Sequence, residues 1–240
     1  MKVYNWIKTI PDILYPRRCL LCGAPGIDNR DLCGPCAENL PHNRHPCAIC
    51  ALPLPAGAPE GSVCGHCTQQ RPEFDRCYAA LEYDHLTGPL ISRLKFNRRL
   101  SHAGLLSELL CDYLERQQAT LPQLILPVPL HRQRLQERGY NQALEIGRSV
   151  GKHFGLPVAT RLCRRISATP AQTGLDRKAR RKNLRRAFEL AGSVNGMSIA
   201  LLDDVVTTGA TASELAGLLK KSGASRVDVW AVARTPDYQR

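Results

Sequence analysis

Ser198-Ile199-Ala200-Leu201-Leu202-Asp203-Asp204-Val205-Val206-Thr207-Thr208-Gly209-Ala210-Thr211 is the stretch whose reading decides the fold. An apolar run ends on two adjacent carboxylates, and a loop of small and hydroxylated residues follows. Ala212 to Lys221 then carries apolar residues at helical spacing. Strand, acidic pair, small-residue loop and helix start are the parts from which an α/β protein builds a phosphate site. Backbone N–H groups of a tight loop point at the anion, and the positive end of the next helix favours it. The two Asp cannot themselves hold phosphate. They suit ribose hydroxyls, or a Mg²⁺ that bridges to ligand oxygens.

Working outward from there, the end of the chain, Arg226-Val227-Asp228-Val229-Trp230-Ala231-Val232-Ala233-Arg234-Thr235-Pro236, reads as another strand. Upstream, Leu124-Ile125-Leu126-Pro127-Val128-Pro129-Leu130 is an apolar run closed by prolines, a buried strand and then a loop. His131 to Gln142 follows as a loop rich in cations and polar hydrogen-bonders, and Ala143 to Phe154 as a helix ended by Gly155-Leu156-Pro157. Charged residues just past a buried strand lie where open α/β sheets bind ligands. Cys77 to Tyr83 reads as a strand, and Gly88 to Gln118 as two helices, or one broken near Asn97–Ser101. Nearly continuous apolar strands alternating with helices predict a parallel sheet covered on both faces.

Four Cys-x-x-Cys pairs precede this pattern: Cys19/Cys22, Cys33/Cys36, Cys47/Cys50 and Cys64/Cys67. Each pair can grip one metal ion from a single turn, and two pairs complete the tetrahedral thiolate shell of structural zinc. Two Zn sites are expected, in a segment with too few apolar residues for a core of its own. A redox dithiol would account for one such pair, not for four in a row. Neighbouring knuckles pair most simply, but interleaving stays open. His42, His45 and His66 could replace a thiolate, though no spacing demands it. Gly23, Gly34 and Gly65 sit where a knuckle needs unusual backbone angles. Cys77, Cys111 and Cys163 stand alone and read as buried small hydrophobes.

The chain has 240 residues, enough for one α/β domain and a small satellite, divided here into 1–72 and 73–240. A hydrophobic fraction of 43% can fill a core, and the net charge of +12 favours anionic partners, phosphorylated metabolites or nucleic acid. Aromatics at 5% make a stacking platform for single strands sparse. No apolar stretch is long enough to span a bilayer, and Met1 to Lys8 lacks the apolar centre of a secretory signal, so a cytoplasmic protein is expected. Eleven Cys in such a protein suggest metal rather than disulfides. Residues 1–16 read as a short amphipathic lead-in. Residues 161–186 carry ten Lys and Arg against the single acid Asp176, a mobile basic flap or a nucleic-acid patch.

Pro127-Val128-Pro129-Leu130-His131 with Arg138-Gly139-Tyr140-Asn141-Gln142 resembles the signature of ComF/GntX-type proteins. The run from Thr169 through Gln172, Leu175, Arg180 and Asn183 to Ala187-Phe188 resembles their middle segment, and Leu94-Lys95-Phe96 and Ala233-Arg234-Thr235 fit as well. The loop 203–211 resembles the binding motif for phosphoribosyl pyrophosphate (PRPP) of type I phosphoribosyltransferases. The resemblance implies a zinc ribbon joined to such a domain, and a role in natural competence or use of external DNA. It implies that Asp203 and Asp204 hold the ribose hydroxyls of PRPP with Mg²⁺, and that Val206, Thr207, Thr208, Gly209, Ala210 and Thr211 cradle the 5′-phosphate. Leu130, His131 and Arg132 occupy the place of the pyrophosphate loop, and Arg177 and Arg180 that of a catalytic flap. A pocket for an acceptor base is not evident in the sequence. Two functions are therefore expected: a phosphoribosyltransferase whose acceptor is open, or a single-stranded DNA-binding protein on an inactive scaffold of that kind.

Overall fold

The computed structural model describes residues 17–96, 101–167 and 187–236. The first described elements are two short helices inside the Cys-rich segment, α1 (Gly34–Asn39) and α2 (Gly65–Gln69). Then come β1 (Arg76–Glu82), α3 (Thr87–Phe96), α4 (Ser101–Arg116), β2 (Leu124–Pro127), α5 (Arg132–Arg138) and α6 (Gln142–Phe154). The chain continues through β3 (Cys163–Arg165), β4 (Phe188–Leu190), β5 (Ser198–Val206), α7 (Ala210–Lys221) and β6 (Arg226–Arg234). The lead-in over 1–16 lies outside the described residues.

Four strands form one parallel sheet in the order β1-β6-β5-β2. Their side chains alternate between two cores. Leu126, Ile199, Leu201, Val229 and Ala231 face α7, which presents Ala212, Leu215, Ala216 and Leu219. Ile125, Ala200, Leu202, Trp230 and Val232 face α3, α4 and α6. The expected parallel sheet with helices on both faces is thus the structure, and Gly88–Gln118 is two helices. Cys77, Cys111 and Cys163 are buried, as their surroundings predicted.

Three local features differ from what the sequence predicts. The segment after Leu130 is not all loop: Arg132–Arg138 is helical, capped by the His131 side chain and by Gly139 in the left-handed region (φ 80). Its single apolar residue, Leu135, is exposed, so periodicity had nothing to register. The basic stretch is framed by the antiparallel pair β3–β4, too short to be read through its arginines. Among the knuckle glycines only Gly23 has a positive φ; Gly34 and Gly65 begin α1 and α2, and the matching turn of the second cluster falls on Ala51 (φ 54).

The Cys-rich segment is wrapped around the sheet. Its residues 41–49 lie along the outer edge of β1, where Glu82 N–H donates to the Pro41 carbonyl (2.7 Å), Asn43 N–H to Ala80 (3.1 Å) and Cys77 N–H to Ile49 (2.7 Å). That covers an edge which would otherwise offer unpaired backbone groups. Cys19, Leu32, Cys33 and Leu40 join the core on the α4 face, and Cys47, Cys50, Cys64, Cys67 and Phe74 the core on the α7 face. The Arg30 guanidinium clamps the Asp112 carboxylate of α4 at 2.5 and 3.0 Å.

Helix α6 lies close over the β2 edge. A Cβ at Gly151 would meet the Val158 side chain at 2.6 Å and the Leu156 carbonyl at 2.9 Å. The backbone oxygen cannot yield without moving the chain turn. Gly151→Ala is therefore expected to destabilise the fold by about 1–3 kcal/mol despite its better helix propensity, read as a lower urea midpoint with unchanged slope.

Candidate functional site

The thiols gather into two clusters, Cys19/Cys22/Cys33/Cys36 and Cys47/Cys50/Cys64/Cys67, with all four sulfurs of each within 4.8 Å of one another. Neighbouring knuckles pair, and the interleaved assignment is excluded. No histidine joins either cluster; the His42 ring contacts the Ala37 carbonyl instead (3.1 Å). Zn–S bonds of about 2.3 Å in a tetrahedron place sulfurs roughly 3.8 Å apart. Cys22 and Cys33 are 3.6 Å apart, as are Cys50 and Cys64. Backbone N–H groups of Cys64 and Cys67 point at the sulfurs of Cys47 and Cys64 (3.3 and 3.5 Å), as thiolate acceptors require. Burial raises the Cys19 thiol, but backbone N–H groups of Cys22, Cys33 and Leu21 outweigh it and bring it to about 6. The Cys50 thiol, with backbone N–H groups, brings Cys47 down to about 4 against burial. Two closed four-thiol sets, the second with backbone N–H groups aimed at its sulfurs, fit structural zinc.

The second centre lies at the C-terminal ends of β5 and β2. Register pairs Pro127 with Leu202, and Val128 N–H donates to the Leu202 carbonyl (2.8 Å), so the loops after the two strands leave the sheet side by side. The Asp203 carboxylate accepts the Asp204 N–H (2.9 Å), and the Asp204 carboxylate accepts the Val205 N–H (3.0 Å). Burial, then the like charge of Asp204 and a hydrogen bond with it, push the Asp203 carboxyl well above the usual carboxylate range, against a smaller opposing pull from Lys95. Lys95, from α3, forms an ion pair with Asp204 at 2.8 Å.

Thr207 is exposed, Thr208 to Thr211 are partly so, and Gly209 (φ 76, ψ 0) stands at the head of the twelve-residue helix α7. That left-handed turn is what a glycine supplies without strain. The Thr208 hydroxyl accepts the Ala210 N–H (3.2 Å). Val206 differs from its neighbours: its side chain is buried in the core under α7, so only its backbone faces the loop.

After β2, Leu130 and His131 are partly exposed and Arg132 is exposed. The Asn141 amide donates to the Val128 carbonyl (3.0 Å) while its oxygen caps α6 at Ala143 N–H (2.9 Å), which holds this loop to the helix behind it. His131 bridges to Arg165 at the end of β3. The Arg165 guanidinium, its charge disfavoured by burial and by Arg134 and favoured by Asp203, lies over the Phe188 ring at 5.6 Å from its centroid. Arg177 and Arg180 lie outside the described residues.

Three contributors escaped a role in the sequence reading. Lys95 and Arg234 are legible only as parts of short motifs, and Arg165 only as one of a basic run. Each acquires its role from a partner remote in the chain. Among the described residues no helix is long and apolar enough to cross a membrane.

A family model for a double zinc ribbon domain matches residues 10–68. DNA utilization protein YhgH of Salmonella typhi is 35% identical over 225 residues, 92% of this chain and 98% of that one. Competence protein F of Haemophilus influenzae is 35% identical over 225 residues, 90% of this chain and 96% of its own. Competence protein ComFC of Bacillus subtilis is 25% identical over 202 residues, 80% of this chain and 78% of its own. Among solved structures, a hypoxanthine phosphoribosyltransferase from Staphylococcus aureus is 12% identical and covers 56% of this chain and 75% of its own at a TM-score of 0.38, a likeness that carries no weight for function.

Proposed function

The chain belongs to the family of competence protein F and DNA utilization protein YhgH, and from that membership we propose that it binds PRPP and serves the uptake or utilisation of external DNA. In this reading residues 1–72 are the zinc-binding part and 73–240 the ligand-binding part, and the protein works in the cytoplasm. The observation that carries the PRPP reading is the Asp203-Asp204 pair at the end of β5, running directly into a left-handed Gly209 turn at the head of α7. The carboxylates would take the ribose hydroxyls with Mg²⁺, the loop N–H groups the 5′-phosphate, and Leu130–Arg132 the diphosphate.

Group transfer from such a ligand breaks the C1–oxygen bond to pyrophosphate and forms a bond from C1 to an acceptor, which gives up a proton. The transition state is cationic at the sugar, so neutralising the departing diphosphate matters more than a strong base. Arg132, Arg165 and the basic run containing Arg177 and Arg180 would supply that positive charge. The acceptor is the open part of this reading. Single-stranded DNA is the macromolecular partner it includes, held by the basic residues of 161–186; the net charge of +12 and the names of the relatives support it. Binding of that kind weakens steeply with salt.

Calorimetric titration of PRPP with Mg²⁺ into the zinc-loaded protein tests the reading. Binding is expected in the wild type, with a loss of about a hundredfold or more in Asp203→Asn/Asp204→Asn, since two charge-assisted contacts go together. A folded, zinc-loaded wild type that binds no PRPP would overturn it. The pH dependence has a definite sign. Asp203 holds its proton above the usual carboxylate range in the free protein, and hydroxyl donors and Mg²⁺ both require the carboxylate. Below that raised value binding releases a proton, and affinity should rise with pH until Asp203 is ionised in the free protein as well. Titrations in two buffers of different ionisation enthalpy would measure that proton.

A further inference from the structure

Arg234 is the last residue of β6 and only 2% exposed. Among the described residues its guanidinium has no carboxylate as hydrogen-bond partner; its partners are backbone carbonyls. Nε donates to the Cys50 carbonyl in the second cysteine cluster (2.9 Å). One terminal nitrogen donates to the carbonyls of Val206 (3.2 Å), Thr207 and Thr235 (3.1 Å). A buried cation needs compensation, and a zinc ion with four thiolates carries a net negative charge. The second cluster supplies that charge where no acid among the described residues does.

The other end of the fork meets the anion loop. In a trans peptide the C=O and the following N–H point in opposite directions. With the carbonyls of Val206 and Thr207 drawn to Arg234, the N–H groups of Thr207 and Thr208 are aimed away from it, toward the ligand side of the loop. We infer that Arg234 is a positioning residue that couples the second zinc–thiolate cluster to anion binding in the Thr207–Thr211 loop, while the first cluster, docked on the α4 face, has no such connection among the described residues. The inference rests on the PRPP reading for the identity of the anion.

Coupling of this kind is reciprocal. In the full-length, two-zinc protein, saturating PRPP with Mg²⁺ should slow zinc release to a chromogenic chelator about tenfold at one site only. Alkylation followed by peptide mass analysis should place the protected thiols at Cys47–Cys67. Arg234→Lys keeps the charge and loses the fork. It should weaken PRPP about tenfold and abolish the protection. Equal protection of both clusters, or an Arg234→Lys protein with wild-type affinity and wild-type zinc release, would overturn the inference. A wild type that fails to bind PRPP at all would sink the ligand assignment instead. The coupling is then read by hydrogen exchange in the zinc-loaded proteins. Arg234→Lys should speed exchange over 206–211 and zinc loss from the second cluster, with 124–127 unchanged. No change in either would overturn it.

Discussion

A protein that cannot load zinc at its second cluster, Cys47→Ser/Cys64→Ser, is expected to unfold as a whole, and not to shed its N-terminal segment from an intact sheet. The four thiols are between 1% and 6% exposed. They share one core with Cys77 and Ala79 of β1, Val229 and Ala231 of β6, and Leu215 of α7. A structural zinc contributes about 10–16 kcal/mol to folding in small zinc-binding peptides. A domain of this size has roughly 5–15 kcal/mol in total. Losing even half of the metal term therefore leaves little. Loss of the cluster also exposes the outer edge of β1, from which Cys77 N–H reaches the Ile49 carbonyl. Calorimetry should show one transition at a much lower temperature than in the wild type. Two transitions, the upper one unmoved, would mean that the sheet stands without its ribbons.

The second large effect is expected at Lys95. Asp203 and Asp204 are adjacent carboxyls at the end of a buried strand, and Lys95 lies 2.8 Å from Asp204. The side chains are 23% and 5% exposed, so solvent screens the pair only partly. Removing one partner of such a pair costs about 3–5 kcal/mol when fully buried, and about 2–3 kcal/mol is expected here for Lys95→Met. The effect should depend on pH with a fixed sign. Burial and Asp204 already hold the Asp203 carboxyl above its usual range, and Lys95 opposes that rise. Without Lys95 the rise is larger. A carboxyl raised on folding adds stability below its unfolded value and loses it as pH climbs through the folded one. Lys95→Met should therefore be nearly harmless in mild acid and most damaging above neutrality. Adding Asp204→Asn should restore much of the loss, and urea midpoints of the four proteins form the cycle that measures the coupling. A pH-independent cost would place the role of Lys95 in its aliphatic stem, not its charge.

The two predictions differ in how far the sequence announces them. The cysteine spacing is local: a Cys-x-x-Cys turn presents two sulfurs to one ion wherever the rest of the chain goes. Which knuckles join was not local, and the structure pairs neighbours. Lys95 lies more than a hundred residues from Asp204 and Arg234 is 184 residues from Cys50, so no window of sequence contains either contact. α5 escaped because its one apolar residue faces solvent, and β3 and β4 because three residues carry no period.

By itself the sequence determined the elements whose side chains repeat with the backbone period: the apolar strands, the amphipathic helices, the loop that turns on Gly209, and the eight thiols in pairs. Those follow from interactions between residues a few positions apart. Only the tertiary structure decided that the zinc-binding segment wraps the β1 edge and enters both cores. It alone brought Lys95 to the acidic pair and set Arg234 between the second cysteine cluster and the loop that leads into α7. A buried charge acquires its meaning from whatever surrounds it, and what surrounds it is chosen by the packing of the whole chain.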